Sequence, residues 1–125
     1  MELTRALQDY LKAIYILQVL EKKKIVRIRD IANFLSVKMP SVTDAMKKLS
    51  SAGLIVYNKR NYIELSPVGE EIAKELYKKW EVIYLFLKNI LGVSKNTAQR
   101  DACKIEHIIS KETYDAIKKH LKKMS

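Results

Sequence analysis

One cysteine, two prolines and three glycines are all that these 125 residues contain of those types, and each scarcity excludes something. A single thiol, Cys103, cannot build an intrachain disulfide framework. The longest apolar run, Val82 to Leu87, falls far below the roughly 20 residues that span a bilayer, so no membrane partner is expected. Met1 is followed at once by mixed polar sequence instead of a basic stretch and an apolar core, and a cytoplasmic location is the expectation. No nucleophile–base pair, Gly-rich phosphate loop or zinc-hydrolase motif is present, which argues against an enzyme and against a small-molecule substrate. Acidic residues are also in short supply. Lys+Arg 24 against Asp+Glu 14 leaves a formal net charge of +10 and a pI near 9.7, a positive surface that attracts nucleic acid or anionic membrane. What is plentiful is core material: 48% hydrophobic and 30% charged residues are the balance of a folded chain, not a disordered one. The length suits one domain or a small domain with an appended element.

Because breakers are so few, each one that occurs punctuates the chain. Leu7, Leu11, Ile14 and Leu17, flanked by Tyr10 and Tyr15, recur at helical spacing and predict a first amphipathic helix. After the basic patch Lys22, Lys23, Lys24, the residues Ile28, Ile31, Ala32 and Leu35 predict a short second helix. A turn is expected at Ser36, Val37 and Lys38, then a third helix with Pro40 at its first position, Val42, Ala45, Met46 and Leu49 on its buried side, and Gly53 as its stop. Leu54 to Tyr57 and Tyr62 to Leu65, joined by the polar turn Asn58 to Asn61, read as a two-stranded hairpin. Ser66 and Pro67 start a fourth helix with no breaker after Gly69 until Gly92, a length of about 25 residues or roughly 37 Å. Its second half is apolar almost all round, and Trp80, Ile83, Tyr84 and Leu87 are the candidates for a homodimer interface. Two further helices, Asn96 to about Ile109 and Glu112 to Leu121, close the chain.

Helix, short helix, turn, helix and hairpin is the order of a winged helix-turn-helix. The expected fold is mainly α, with a winged helix-turn-helix DNA-binding domain at residues 1–66 and a helical domain at 67–125, to which the ligand candidates and the resemblance described below assign metal binding and dimerisation. In the third, recognition, helix Ser41, Thr43, Asp44, Lys47 and Lys48 offer hydroxyls, a carboxylate and ammonium groups suited to base edges and phosphates in a major groove. Arg29 in the second helix and Lys59 and Arg60 at the wing tip suit phosphate contacts, which position the protein without reading sequence. Solvated faces of an ordinary small helical domain are the competing interpretation of any single one of these residues.

On a helix, Cys103, Glu106 and His107 lie three and four apart and share a face. Thiolate, carboxylate and imidazole together make a plausible shell for a divalent transition metal, and Asp9 of the first helix is the candidate for a further ligand. The competing interpretation has Cys103 as a small core residue and the other two solvated.

The residues resemble the iron- and manganese-dependent repressors typified by the diphtheria toxin repressor and the manganese transport regulator. The resemblance spans nearly the whole chain: Gln8-Asp9-Tyr10-Leu11 with Ile14-Tyr15, Pro40-Ser41-Val42-Thr43, Gly53-Leu54-Ile55, Leu65-Ser66-Pro67-Val68-Gly69, and Gly92-Val93 followed by Cys103 and Glu106-His107. It implies a winged-helix dimer that binds a palindromic double-stranded DNA operator when Fe²⁺ or Mn²⁺ is bound, and represses metal-uptake genes. The chain is similar to the short form, without the SH3-like domain. By that resemblance Asp9, Cys103, Glu106 and His107 are metal ligands, Asp9 as in the manganese type and Cys103 as in the iron type. The family's other ligand positions carry Trp80, Tyr84, Gln99 and Lys12, so one site per subunit is expected, with Co²⁺, Ni²⁺ and Zn²⁺ also compatible with the donors. Two rival functions remain at this point, a winged-helix regulator without metal sensing and a redox sensor acting through Cys103.

Overall fold

Thr4 opens the first helix: its hydroxyl accepts the Leu7 amide at 3.2 Å and satisfies one of the donors that a helix start leaves without an intrahelical partner. The computed structural model describes residues 3–58 and 60–124 and divides into two compact units, residues 1–76 and 77–125.

In the first unit α1 (Arg5–Tyr15) ends in a π-helical turn, Ile16–Leu20. The stripe Leu7, Leu11, Ile14 and Leu17 is buried as its spacing predicts, together with Tyr10 and Tyr15. Packed on α1 are α2 (Ile28–Leu35) and α3 (Met39–Ser51). Between them Ser36 takes the left-handed conformation at φ 56°, and the Val37 amide reaches back to the Ala32 carbonyl at 3.0 Å. α3 starts at Met39, one residue earlier than expected, which places Pro40 second in the helix. Proline is tolerated there because the first four amides of a helix have no carbonyl to bond in any case. Val42, Ala45, Met46 and Leu49 form its buried side.

The end of α3 is a Schellman motif. Gly53 at φ +76° lets the Leu54 amide bond the Leu49 carbonyl while its own amide bonds that of Ser50, both at 3.0 Å, so the last carbonyls are satisfied and the chain reverses into the wing. β1 (Ile55–Tyr57) and β2 (Ile63–Leu65) pair antiparallel with Ile55 opposite Leu65 and Tyr57 opposite Ile63. The hairpin is shorter at both ends than the sequence suggests. Two long-range bonds seat it: the Ile63 amide donates to the Val26 carbonyl at 2.8 Å, and the Leu65 amide donates to the Gln18 side chain at 3.0 Å.

Ser66 then joins three elements. Its amide donates to the Leu54 carbonyl at 3.0 Å, its hydroxyl donates to the Gly53 carbonyl at 2.6 Å, and the same oxygen accepts the Gly69 amide at 3.0 Å as the cap of α4 (Pro67–Leu85). The first turn of α4 thereby lies so close to β1 that a Cβ on Gly69 would overlap the Leu54 carbonyl oxygen.

In the second unit α4 closes in another π-helical turn, Phe86–Ile90, so the long helix expected from the sequence is α-helical only through Leu85. Gly92 at φ +71° terminates it. α5 (Lys95–Ile108) and α6 (Lys111–Met124) follow, capped by Ser94 and Ser110, whose hydroxyls accept the Thr97 and Thr113 amides. Ile83, Ala98 and Ala102 are buried. Trp80 stacks on Tyr84 at 5.0 Å with the rings 5° apart, and Phe86 meets His120 edge-on at 6.1 Å. Among the described residues no helix is long and apolar enough to cross a membrane.

The crowding at Gly69 gives a direct test. Gly69→Ala is expected to destabilise the chain by about 1–3 kcal/mol, the usual cost of overpacking. Gly92→Ala, with φ +71° but nothing within 4 Å of the added Cβ, should cost only about 1–2 kcal/mol of backbone strain. Urea denaturation of the two variants beside the parent measures both.

Candidate DNA-binding surface and metal ligands

Burial of Val42, Ala45, Met46 and Leu49 turns the other side of α3 outward. Ser41, Asp44, Lys47 and Lys48 are exposed and Thr43 is half-buried. Three of them already have partners within the helix: the Thr43 hydroxyl donates to the Met39 carbonyl at 3.2 Å, and Lys48 and Asp44 pair with each other at 3.3 Å. Such an exposed pair contributes little and leaves the ammonium accessible to an anion. At the wing, Asn58 shapes the turn by accepting the amides of Arg60 at 2.9 Å and Tyr62 at 3.0 Å on one side-chain oxygen. Arg60 is exposed, and Lys59 lies outside the described residues.

Arg29 projects from the first turn of α2 and is exposed. Beside it the fold supplies two cations that the sequence alone does not single out. Arg27, at the N-cap of α2, donates from Nη2 to the Tyr62 hydroxyl at 3.2 Å and stands 5.0 Å over the Tyr62 ring. Lys23 reaches Asp30 at 3.7 Å, and the Arg27 amide bonds the same carboxylate at 2.9 Å. Lys23, Ile25, Arg27, Arg29 and Asp30 line a notch of about 240 Å³. Three cations around one carboxylate leave it net positive. The only trace of this in the sequence is basic residues recurring between 22 and 29; the partner that fixes Arg27 lies 35 residues away.

The candidate metal ligands sit on two helices. In the first unit Asp9 is half-buried on α1, with the Lys12 ammonium 4.0 Å away one turn on. In the second unit α5 carries Ala98, Ala102 and Glu106 on one buried face, each four residues from the last, so the carboxylate is turned inward with two alanines making room for it. The Glu106 side chain is 2% exposed and that of His107 7%, and Glu106 Oε1 lies 3.7 Å from His107 Nε2. Cys103, one turn earlier, is half-buried. Burying a carboxylate is costly unless positive charge accompanies it. A hard oxygen donor and an imidazole side by side, with a thiol one turn away, are donors that divalent transition metals accept. The donor chemistry therefore fits such an ion.

The further positions that the resemblance marks for ligands carry other chemistry. Trp80 and Tyr84 are occupied with each other as a stacked pair, Gln99 is exposed and Lys12 is buried. Glu81, next to Trp80, accepts the Tyr77 hydroxyl at 3.2 Å. Of the candidate dimer residues, Ile83 is buried within the chain, while Trp80, Tyr84 and Leu87 are half-buried.

Comparison with known proteins adds independent findings. Residues 2–62 match the family model of the iron dependent repressor N-terminal DNA binding domain, and residues 66–125 that of the iron dependent repressor metal binding and dimerisation domain. The chain is 32% identical over 121 residues to an HTH-type transcriptional regulator of Methanocaldococcus jannaschii, covering 97% of this chain and 96% of that one. To the HTH-type transcriptional regulator MntR of Geobacillus kaustophilus it is 38% identical over 114 residues, covering 91% and 79%. The solved structure of the manganese regulator SloR superposes with a TM-score of 0.79 at 30% identity, covering 98% of this chain and 55% of that one. The chain thus spans about half the length of that solved protein.

The Arg27–Tyr62 link is open to titration. Hydrogen bonding from Arg27, with a lesser contribution from Arg60, holds the Tyr62 phenol below its ordinary value of 10.0 against an opposing cost of burial. A folded value below the unfolded one means the phenolate adds stability above about pH 10 and loses it as pH falls through the folded value. Phenolate absorbance of the parent should show one tyrosine ionising early, and Arg27→Gln should return it upward. Identical titration curves would break the link.

Proposed function

The chain belongs to the iron-dependent repressor family, and from that premise we propose that it is a transcriptional repressor of metal-uptake genes whose homodimer binds a palindromic DNA operator when a divalent transition metal is bound. The observation that carries this reading is the inward placement of Glu106 beside His107 on α5 in a chain that also holds a complete winged helix-turn-helix.

In this proposal α3 enters the major groove, Ser41, Thr43, Asp44 and Lys47 face base edges, and Lys48 contacts a phosphate. Arg60, Lys59, Arg29 and the notch cations Lys23 and Arg27 hold the DNA backbone. Tyr62 orients the Arg27 fork before DNA arrives, which lowers the entropy lost on contact. Trp80, Tyr84 and Leu87, backed by Ile83, make the dimer surface, so that two recognition helices meet half-sites one helical turn apart, about 34 Å.

Asp9, Cys103, Glu106 and His107 would hold one ion per subunit. A divalent cation there supplies the positive charge that these anionic and imidazole donors share. Asp9 belongs to the helix on which α3 packs and Glu106 and His107 to the dimerising unit, so a shared ion restricts the freedom of the two recognition helices. Fe²⁺ and Mn²⁺ are the favoured ions, with support from the manganese regulators among the relatives. Co²⁺, Ni²⁺ and Zn²⁺ satisfy the same donors in the order of their intrinsic affinities. Lys12 meanwhile occupies the place of a further carboxylate and brings an ammonium to Asp9, which supports one ion and not two. The protein acts as a cytoplasmic binding protein without catalysis.

Fluorescence anisotropy with fragments of the gene's own promoter region, at fixed salt, first with chelator and then with each ion, tests the reading. Metal is expected to tighten binding by about 5 to 150-fold, and operator must tighten metal binding by the same factor. His107→Ala should abolish that response and keep the melting profile of the metal-free parent. Equally tight binding with chelator would instead favour a winged-helix regulator that has lost its switch, the alternative to which Trp80, Tyr84 and Lys12 point.

A further inference from the structure

The positive charge of this chain is not concentrated on its winged helix. Residues 1–76 hold thirteen Lys and Arg against nine Asp and Glu, a net of +4; residues 77–125 hold eleven against five, a net of +6 in a shorter segment. Of the five carboxylates of that unit, three have partners outside the last turns of α6. Glu81 accepts the Tyr77 hydroxyl, Glu106 is buried beside His107, and Asp115 pairs with Lys111 at 3.5 Å. After Asp115 no acidic side chain follows, while Lys118, Lys119, Lys122 and Lys123 do, all four exposed.

From this arrangement we propose that the exposed lysine face of α6 is a second, sequence-independent contact surface for the phosphate backbone of double-stranded DNA. It rests on the DNA-binding reading above but assigns a role in DNA contact to the metal-binding and dimerising unit. Tyr114, Ile117 and Leu121 are half-buried, and α6 packs on the π-helical turn through Phe86 and His120. That leaves the lysines on the outward side. The turn itself adds a further cation, Lys88, which lies 5.9 Å from the Tyr84 ring centre. From Lys118 to Lys123 the helix advances about 7.5 Å at roughly 1.5 Å per residue, close to the axial rise of two nucleotides of a duplex at about 3.4 Å each.

The chemistry separates duplex DNA from other polyanions. The lysine face carries no aromatic side chain on which an unpaired base could stack, as a single-strand site requires. Its apolar side is turned into the unit instead of being available for insertion among lipid chains, as a membrane-surface helix requires. Lysine ammoniums without a carboxylate or amide among them supply point charges and no base discrimination, so the surface should raise affinity for operator and unrelated duplex alike.

The full-length chain with Lys118→Gln, Lys119→Gln, Lys122→Gln and Lys123→Gln tests this against the parent, using an operator duplex and a scrambled duplex over a salt series. Each lost phosphate contact lowers the slope of log K against log salt by about 0.9. The variant should lose about two units of slope on both duplexes and bind the scrambled one about tenfold more weakly at low salt. Its melting temperature and the fold-tightening by metal should be unchanged, and the four-arginine counterpart should restore the slope. Unchanged slopes with operator preference intact would overturn this inference alone. Failure of the parent to bind any duplex would overturn it together with the reading on which it rests.

Discussion

The close approach of Gly69 to Leu54 is the constraint on which the DNA-binding half of the molecule depends. At that point the end of α3, the start of β1 and the first turn of α4 meet within a few ångströms, held by the three bonds of Ser66 to Leu54, Gly53 and Gly69. The recognition helix cannot change its exit direction without moving the wing, because Gly53 both ends α3 and accepts the Ser66 hydroxyl. Nor can the wing swing without moving α4, because no side chain fits between Gly69 and the Leu54 carbonyl. Interiors packed at this density transmit displacement instead of absorbing it, which is what a DNA-reading head needs if its orientation is to be controlled from outside.

Around that rigid head the charges are held, not scattered. Arg27 is oriented by Tyr62, while Lys23 lies beside Asp30 and Lys48 beside Asp44. Each pair is solvent-exposed and contributes little to folding. Its effect is on position: a guanidinium already oriented loses less freedom when it meets a phosphate. Asp30 has an additional part, since it caps α2 through the Arg27 amide while drawing Lys23 to the same notch.

On the metal side the informative feature is where the chain carries ligand chemistry and where it does not. Glu106 lies on the same face of α5 as Ala98 and Ala102, so its carboxylate is buried by the helix's own geometry, and His107 adds an imidazole whose side chain is almost as enclosed. Along α4 the positions that could bear ligands carry the Trp80–Tyr84 stack, and on α1 an ammonium approaches Asp9. The stacked pair offers neither carboxylate nor imidazole at those positions, and the ammonium sets a positive charge beside Asp9.

Much of the fold was legible because its signals are local. Helical spacing of Leu7, Leu11, Ile14 and Leu17, the Gly53 stop and the Ser66-Pro67 start depend on residues within one or two turns of each other, and the mainly helical winged architecture followed from their order. Errors were confined to ends. α3 began one residue early because an amide-free proline is equally acceptable in second place, and the hairpin frayed where Asn58 took over the turn. Asp9, Cys103, Glu106 and His107 stand out in the sequence by residue type and, for the last three, by spacing that puts them on one helix face. What only the tertiary structure decided are the pairings across long separations: Arg27 with Tyr62, Gln18 with the Leu65 amide, Val26 with Ile63, and the crowding of Gly69 against Leu54. None of these has a periodic signature, since each depends on how whole elements pack, and packing is a property of the assembled core, not of any short stretch of chain.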